Sequence, residues 1–556
     1  MKRKNLIAIA IFLTVVSLNT SAQTAQECIA PTPPMGWNSW NYFGEKINED
    51  VIRKTADAMV SSGLRDAGYR YLVIDDIWEY GRVTRFYKPE MVAREGRDAD
   101  GRLLVNPEKF PSGMKAIGDY IHSKGLKFGI YTAPGEGTCY GCTGSLGYEA
   151  IDVATFAEWG VDYIKLDGCM AKEDDEVILK RWRFIIDSIG RPIVLSTNIA
   201  GPALSRKYAD MWRTTTDIMP KWKHEPDEFK VMEDVFGILN LQTGNEGFHG
   251  QCRWNDPDML QVGNGGLTYS ENKAHFGMWA ILGAPLILGN NLYEMKDSVR
   301  DILTNPEVIT VNQDPAGVMA TKIYDDGNGV QVWAKRLWKV GDIAVAILNA
   351  GNVASDIKIK LADIGITGQA FFRDAFSRKD LGLYSGTFSV SLKKNDILLA
   401  RVSAFEQVKP LGAYQEKVIQ FGTKPIRIEA ENSKYYVART SQSEYPEYSG
   451  KGYLISQNND WASLQCTWDF GIAKEGSYKI SIRYINFSDS TLEYKVYENH
   501  TDEQRITLPP SRENHDWQSL SFNVELKKGN NRFKINSPNS KANSVAFDYI
   551  EIEENK

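Results

Sequence analysis

Between residues 34 and 314 the chain repeats one unit, a short strand-type run followed by an amphipathic helical stretch. Strands are predicted at Pro34–Trp40, Tyr69–Asp76, Lys127–Ala133, Asp162–Asp167, Pro192–Asn198, Met211–Asp217, Arg253–Leu260 and Pro285–Gly289. Helical periodicity falls between them, at Glu49–Ala67, Gly113–Ser123, Ala150–Trp159 and Asp175–Ile189. Several strand runs are nearly continuously apolar (Tyr71-Leu-Val-Ile, Phe128-Gly-Ile-Tyr), as parallel strands covered on both faces require. Eight such units in this length match a (β/α)₈ barrel, placed at 27–314. A doubly wound open sheet competes, but no G-x-G-x-x-G follows the first strand.

Beyond Asp314-Pro315 the pattern changes to short runs at hairpin spacing, which predicts an antiparallel β-sandwich over 315–404. Residues 405–424 read as a linker, and a second strand-rich β-sandwich is expected over 425–556. At the other end, Lys2-Arg3-Lys4, the apolar run Leu6–Val16 and the small residues Ser21-Ala22 read as an export signal spanning 1–22. The run is short for a membrane span, so cleavage and a periplasmic or extracellular destination are expected, and no other segment could cross a membrane. Export permits disulfides, and six cysteines in 556 residues suggest one or two bridges. Cys139-x-x-Cys142 lacks a second C-x-x-C or an H-x-x-x-H pair, which speaks against zinc. A net charge of −6 without any Lys/Arg block argues against nucleic acid as a partner. The 62 aromatic residues (14 Trp, 26 Tyr, 22 Phe) suit both carbohydrate stacking and sandwich cores.

Polar groups close several predicted strands: Asp75-Asp76, Asp167, Asn198 and Asp217. A barrel gathers the carboxyl ends of its strands on one rim, so these separate stretches would converge there. A single strand-terminal Asp is usually a cap or a turn former; a series on successive strands points to a site.

The motifs at these positions are specific as a set. Pro34-Met-Gly-Trp-Asn-Ser-Trp40, Ile74-Asp-Asp-Ile-Trp78, Phe128-Gly-Ile-Tyr131, Tyr163-Ile-Lys-Leu-Asp-Gly-Cys169, Trp254-Asn-Asp-Pro-Asp-Met-Leu260, Asn305-Pro-Glu-Val-Ile and Asn312-Gln-Asp-Pro315 occur in this order. Together they closely resemble the α-galactosidase/α-N-acetylgalactosaminidase family, glycoside hydrolase family 27, over roughly residues 30–400. The resemblance implies retaining hydrolysis with Asp167 as nucleophile and Asp217, in Trp212-Arg-Thr-Thr-Thr-Asp217, as acid/base. One carboxyl must then be ionised while the other holds a proton. Lys165, on the same strand face as Asp167, can favour its anion. The resemblance also implies that Trp40, Asp75, Asp76, Tyr131, Lys165 and Arg213 hold the sugar, with Asn198 on the loop over its 2-position. Asp258 would support the site from behind. Cys139 and Cys169 match a family disulfide, for which Cys142 could compete.

One departure is plain. Where the family usually has Cys-Glu-Trp or a Ser/Ala-bearing loop, this chain reads Ser196-Thr-Asn-Ile-Ala-Gly-Pro202. The expected activity is removal of terminal α-galactosyl residues. β-L-Arabinopyranosides, α-N-acetylgalactosaminides and α-1,6-glucans remain alternative substrates, and an inactive sugar-binding barrel is the non-enzymatic one. No cofactor is expected for catalysis. The last unit, bracketed by Ile428-Glu-Ala-Glu-Asn432 and Phe547-Asp-Tyr-Ile-Glu-Ile552, resembles carbohydrate-binding modules of the family 6/35 type. That resemblance implies a structural calcium on Glu429, Glu431 and Asp548, with Tyr448 and Trp461 as candidate sugar platforms.

Overall fold

The computed structural model describes residues 28–82, 94–225, 228, 230, 232–406, 408–421, 424–442, 444–456, 464–500, 502–511, 516–537 and 544–555. The predicted export segment and Trp461 lie outside them. Eight parallel strands form one curled sheet: β1 (Met35–Asn38), β2 (Tyr71–Ile74), β3 (Lys127–Thr132), β4 (Tyr163–Leu166), β5 (Val194–Thr197), β6 (Met211–Arg213), β7 (Trp254–Asp256) and β8 (Leu286–Leu288). Each strand pairs with the next in sequence from β1 to β7, and β8 pairs with β1. The seam between β7 and β8 is closed by one parallel bridge, Leu260 to Leu288, where the Leu260 N–H donates to the Ile287 carbonyl at 2.7 Å. The barrel predicted from the alternation is therefore present.

Its strands are shorter than predicted. Met211–Asp217 ends its pairing at Arg213, and Arg253–Leu260 pairs only at Trp254–Asp256. The polar residues that follow turn away into rim loops. The expected helix Glu49–Ala67 is two helices, Glu49–Ser61 and Leu64–Ala67, broken at Gly63 with φ 83°. Only glycine adopts that conformation freely, so the helix stops there.

The side-chain period of two sorts the barrel into an inside and an outside. Leu72, Ile74, Ile164, Leu166, Leu195 and Trp212 join the large core under the helices. The alternate residues Tyr71, Val73, Tyr163, Val194, Met211 and Trp254 form a separate cluster inside the barrel, closed from below by Ala30. Each inner series continues toward the rim and changes character: Val73 to Asp75, Tyr163 to Lys165 to Asp167, Val194 to Ser196 to Asn198, Met211 to Arg213, and Trp254 to Asp256 to Asp258. Apolar residues fill the lower barrel, and charged groups line its upper end.

The following unit is an antiparallel sandwich of a six-stranded sheet and the pair Ser355–Lys360 with Thr387–Leu392. Trp333, Ala344, Ala346 and Leu399 on it belong to the same core as the barrel helices. Helix Tyr269–Leu282 lies against this sheet. A Cβ at Gly277 would stand 2.9 Å from the Phe376 ring, so the close approach needs a glycine.

The last unit is a second sandwich with its own core. The stretch expected as a linker, 405–424, is paired along part of its length. Val418–Ile419 adds a parallel strand to Gln465–Ile472, the Tyr414 N–H donates to the Lys322 carbonyl at 2.7 Å, and Asn530 Nδ2 donates to the Tyr414 carbonyl at 2.7 Å. Two disulfides are formed, Cys139–Cys169 and Cys28–Cys252. Cys142 does not compete for a bridge: it is a buried free thiol that accepts a hydrogen bond from Arg82. Among the described residues, no helix is long and apolar enough to cross a membrane.

Candidate active site

The upper barrel holds paired groups. Lys165 Nζ meets Asp75 Oδ2 at 2.8 Å, from strands that are not neighbours. Burial disfavours the Lys165 cation, yet the charges of Asp75, Asp167 and Asp258 hold its pKa above the ordinary lysine value. Asp75 is almost fully buried and also accepts from Asn38 Nδ2 at 2.6 Å, while its own N–H donates to Ser39 Oγ at 3.0 Å. Asp76, equally buried, accepts N–H groups from Ile77 at 2.7 Å and from Tyr140 at 2.9 Å. Burial, with the Asp75 charge adding to it, pushes the Asp76 pKa up to about 6.

Asp167 sits half-buried just past β4. Asn198 Nδ2 donates to its Oδ1 at 2.6 Å, and Asn198 Oδ1 accepts the Gly168 N–H at 2.7 Å. One amide thus fixes both the carboxylate and the backbone beside it. Burial raises the Asp167 pKa, the Asp217 charge adds to that rise, and Lys165 opposes it. The disulfide Cys139–Cys169 joins the loops after β3 and β4 two residues beyond Asp167.

Asp217 lies on the loop after β6, and Arg213 Nη2 donates to its Oδ1 at 3.1 Å. The same nitrogen meets Asp258 Oδ2 at 2.9 Å. The Asp217 side chain keeps 58% of its surface exposed, whereas Arg213 keeps 10%. An exposed carboxyl beside a buried guanidinium stands where an incoming ligand can reach it. Burial raises the Asp258 pKa, with Asp217 and Asp256 contributing and Arg213 opposing. Ile77 at φ 79° and Asp258 at φ 89° are both left-handed without being glycine. Such conformations cost on the order of 1–3 kcal/mol each and persist where surrounding contacts enforce them.

Trp40 begins a short helix at the rim, half-buried, with its ring 6.0 Å from Tyr140 in an edge-to-face arrangement. Its N–H donates to Asn38 Oδ1 at 2.8 Å. Tyr131 is fully buried beneath the Lys165 ammonium, 5.4 Å from its ring centre, so it acts as wall rather than open platform. The structure therefore gathers Asp75, Asp76, Tyr131, Lys165, Asp167, Asn198, Arg213 and Asp217 at one end of the barrel. Asn38 and Tyr140 join the site without being among the residues expected there. Asn38 had a signal, since it sits inside the Trp37-Asn-Ser-Trp40 motif; Tyr140 acts through a backbone N–H, which carries none.

In the last sandwich Glu429, Glu431 and Asp548 approach one corner. Ser449 Oγ donates to Glu429, its N–H donates to Asp548 Oδ1 at 2.8 Å, and the Lys451 N–H donates to Glu431 Oε1 at 2.8 Å. Arg483 pairs with Asp548. Glu431 Oε2 is buried without a hydrogen-bond partner, and its pKa is raised by burial and by the charges of Glu429 and Asp548. A Cβ on Gly450, at φ 63°, would stand 2.5 Å from Glu431 Oε1. Tyr448 lies half-buried against Tyr453.

The barrel and the sandwich that follows it both match known proteins. The family model described as alpha galactosidase A matches residues 32–314, and that of the alpha galactosidase C-terminal beta sandwich domain matches 327–402. An alpha-galactosidase A of Cellvibrio japonicus is 41% identical over 350 residues, 62% of this chain and 82% of that protein. Alpha-galactosidase I from Mortierella vinacea has a similar solved structure, with TM-score 0.63, 31% identity, and coverage of 69% of this chain and 100% of that one. A β-L-arabinopyranosidase from Geobacillus stearothermophilus is similar at TM-score 0.59 and 27% identity, covering 68% of this chain and 97% of that one. The chain belongs to the α-galactosidase family of glycoside hydrolases.

Proposed function

We propose that this protein removes terminal α-D-galactosyl residues from oligo- or polysaccharides through a covalent glycosyl-aspartate. The reading is carried by three pairings at one rim: Lys165 with Asp75, Asn198 with Asp167, and Arg213 with Asp217. They supply one carboxylate fixed beside a cation and a second, accessible carboxyl facing the same space.

The Asp167 carboxylate attacks the anomeric carbon while Asp217 gives its proton to the glycosidic oxygen. The C–O bond breaks, the aglycone leaves as an alcohol, and a glycosyl ester forms on Asp167. Water then loses a proton to Asp217 and attacks the anomeric carbon, which frees Asp167 and restores the starting configuration. Lys165 and Asn198 stabilise the returning carboxylate. The Asp75/Asp76 pair accepts hydrogen bonds from adjacent sugar hydroxyls, including the axial 4-OH, and an epimer would leave these buried groups unpaired. Trp40 packs against the C5–C6 edge, and Arg213 and Lys165 donate to the 2-OH and 3-OH. The balance is complete without a metal.

Two further readings accompany this one. The two disulfides and the 1–22 signal support export. In the last sandwich, the orphaned Glu431 oxygen and the excess of carboxylates over cations suit a hard cation, so Glu429 and Glu431 would hold a structural Ca²⁺, with Asp548 shared with Arg483.

The test is a panel of nitrophenyl α-galactoside, β-L-arabinopyranoside, α-N-acetylgalactosaminide and isomaltose. The α-galactoside should have the highest kcat/KM. Preference for the arabinopyranoside would reassign the substrate, and sugar binding without turnover on the whole panel would leave an inactive barrel.

A further inference from the structure

Asp217 is mostly exposed, so its side chain is not fixed by packing. Its place depends on the backbone of the loop between β6 and β7, residues 214–253. Within that loop the Glu233 N–H donates to the Asp217 carbonyl at 2.8 Å and the Met219 N–H donates to the Glu233 carbonyl at 2.9 Å. These bonds join the Asp217 strand to the segment that runs on into helix Val235–Asn240.

The last sandwich grips this second segment at three places. The Val437 N–H donates to the Lys230 carbonyl at 2.7 Å, and Lys230 and Ala438 form an antiparallel bridge. Lys434 Nζ donates to the Asn240 carbonyl at 3.0 Å, and Arg532 Nη1 donates to the Leu241 carbonyl at 2.9 Å. These carbonyls, of the last residue and of the C-cap of helix Val235–Asn240, lack partners within the helix and form the negative end of its dipole; two cations are the natural complement. Both cations converge on Asp469, with Arg532 doubly bonded to it at 2.7 and 2.9 Å. Third, His500 packs edge-on against Phe248, 6.3 Å between ring centres.

This junction has two marks of a built contact. Val437 is left-handed at φ 57° and fully buried, a costly state for a β-branched residue that only enforced packing maintains. Arg532 and Asp469 are largely buried, so each charge depends on its partner. A module that merely tethers the enzyme to a polysaccharide would need neither.

We propose that the C-terminal sandwich is a working part of the catalytic unit: through Val437, Lys434 and Arg532 it holds the loop that carries Asp217 and so positions the acid/base carboxyl. The proposal rests on the reading of Asp217 as acid/base. Lys434 and Arg532 are positioning residues, about 190 to 290 positions away in sequence from the carbonyls they hold.

The experiment uses leaving-group chemistry. Protonation by the acid matters for a poor leaving group such as the sugar of melibiose, and hardly at all for dinitrophenolate. In the full chain, Arg532→Gln should lower kcat/KM for melibiose on the order of tenfold, a misplacement-sized loss, and leave that for dinitrophenyl α-galactoside within about twofold. Equal losses on both substrates, or no loss on either, would overturn the proposal. Lys434→Gln removes one grip while leaving the Arg532–Asp469 pair, and should show the same selectivity to a smaller degree if Arg532→Gln fails to fold. Asp217→Ala is the reference. If it shows no leaving-group selectivity, the acid/base reading fails and the proposal with it, a failure told apart from one in which Asp217→Ala is selective and the junction variants are not.

Discussion

Two parts of this molecule collect carboxylates, and they treat them differently. At the barrel rim the carboxylates are held one by one: Asp75 by Lys165, Asp217 and Asp258 by Arg213, Asp167 by the Asn198 amide and Asp76 by two backbone N–H groups. In the corner of the last sandwich Arg483 pairs with Asp548, while Glu429 and Glu431 accept from Ser449 and the Lys451 N–H, and one Glu431 oxygen has no hydrogen-bond partner. A rim whose carboxylates are all held by hydrogen bonds is ready for a neutral sugar. The corner carries surplus negative charge that a bound cation would relieve.

The contrast can be broken most sharply at the rim. Asp167→Asn should lower kcat by at least on the order of 10⁴-fold with an unchanged melting profile. Steady-state turnover on an aryl α-galactoside checks this, and surviving activity would remove Asp167 from the nucleophile role. Lys165→Met should cost on the order of 10²-fold in kcat/KM. It should also move the acid limb of the kcat/KM profile to higher pH, because Lys165 opposes the rise that burial imposes on Asp167. An unmoved acid limb would separate the lysine from the nucleophile.

Stability against pH tests the same balance. The folded pKa of Asp76, about 6, lies above its ordinary 3.8, so the folded state binds this proton more tightly than the unfolded chain does. Its contribution is fully present below pH 3.8 and lost as pH rises through 6, about 3 kcal/mol over that window. Denaturant unfolding at pH 5 and pH 7.5 should show the last part of this loss, about 1 kcal/mol, for the native protein and not for Asp76→Asn. The smallest effect belongs to the corner. Chelation should lower its melting temperature by about 5 °C, and calcium should restore it. kcat/KM should stay within about twofold. Glu431→Gln should remove the calcium response; a calcium response that persists in this variant would place the ion elsewhere.

The barrel was legible because its code is local. Apolar runs bounded by helical stretches mark parallel strands, and the period of two carries Tyr163, Lys165 and Asp167 to one face together. What stayed hidden acts through the backbone or across long separations. Tyr140 reaches Asp76 by its N–H, and Cys28 reaches Cys252 across 224 positions. The docking of the last sandwich is of the same kind, because side-chain contacts to helix-end carbonyls leave no mark in residue spacing. Residues 405–424 read as a linker, yet Val418–Ile419 pairs with a partner strand that only the fold supplies.

The Cys28–Cys252 bridge makes most of the barrel a covalent ring, with the smaller Cys139–Cys169 ring nested within it. A protease that cuts once anywhere between residues 28 and 252 therefore releases nothing. The severed pieces stay chained, with the barrel strands held near their neighbours, until a reductant arrives. In a surrounding rich in digestive enzymes, that ring converts a fatal cut into a scar.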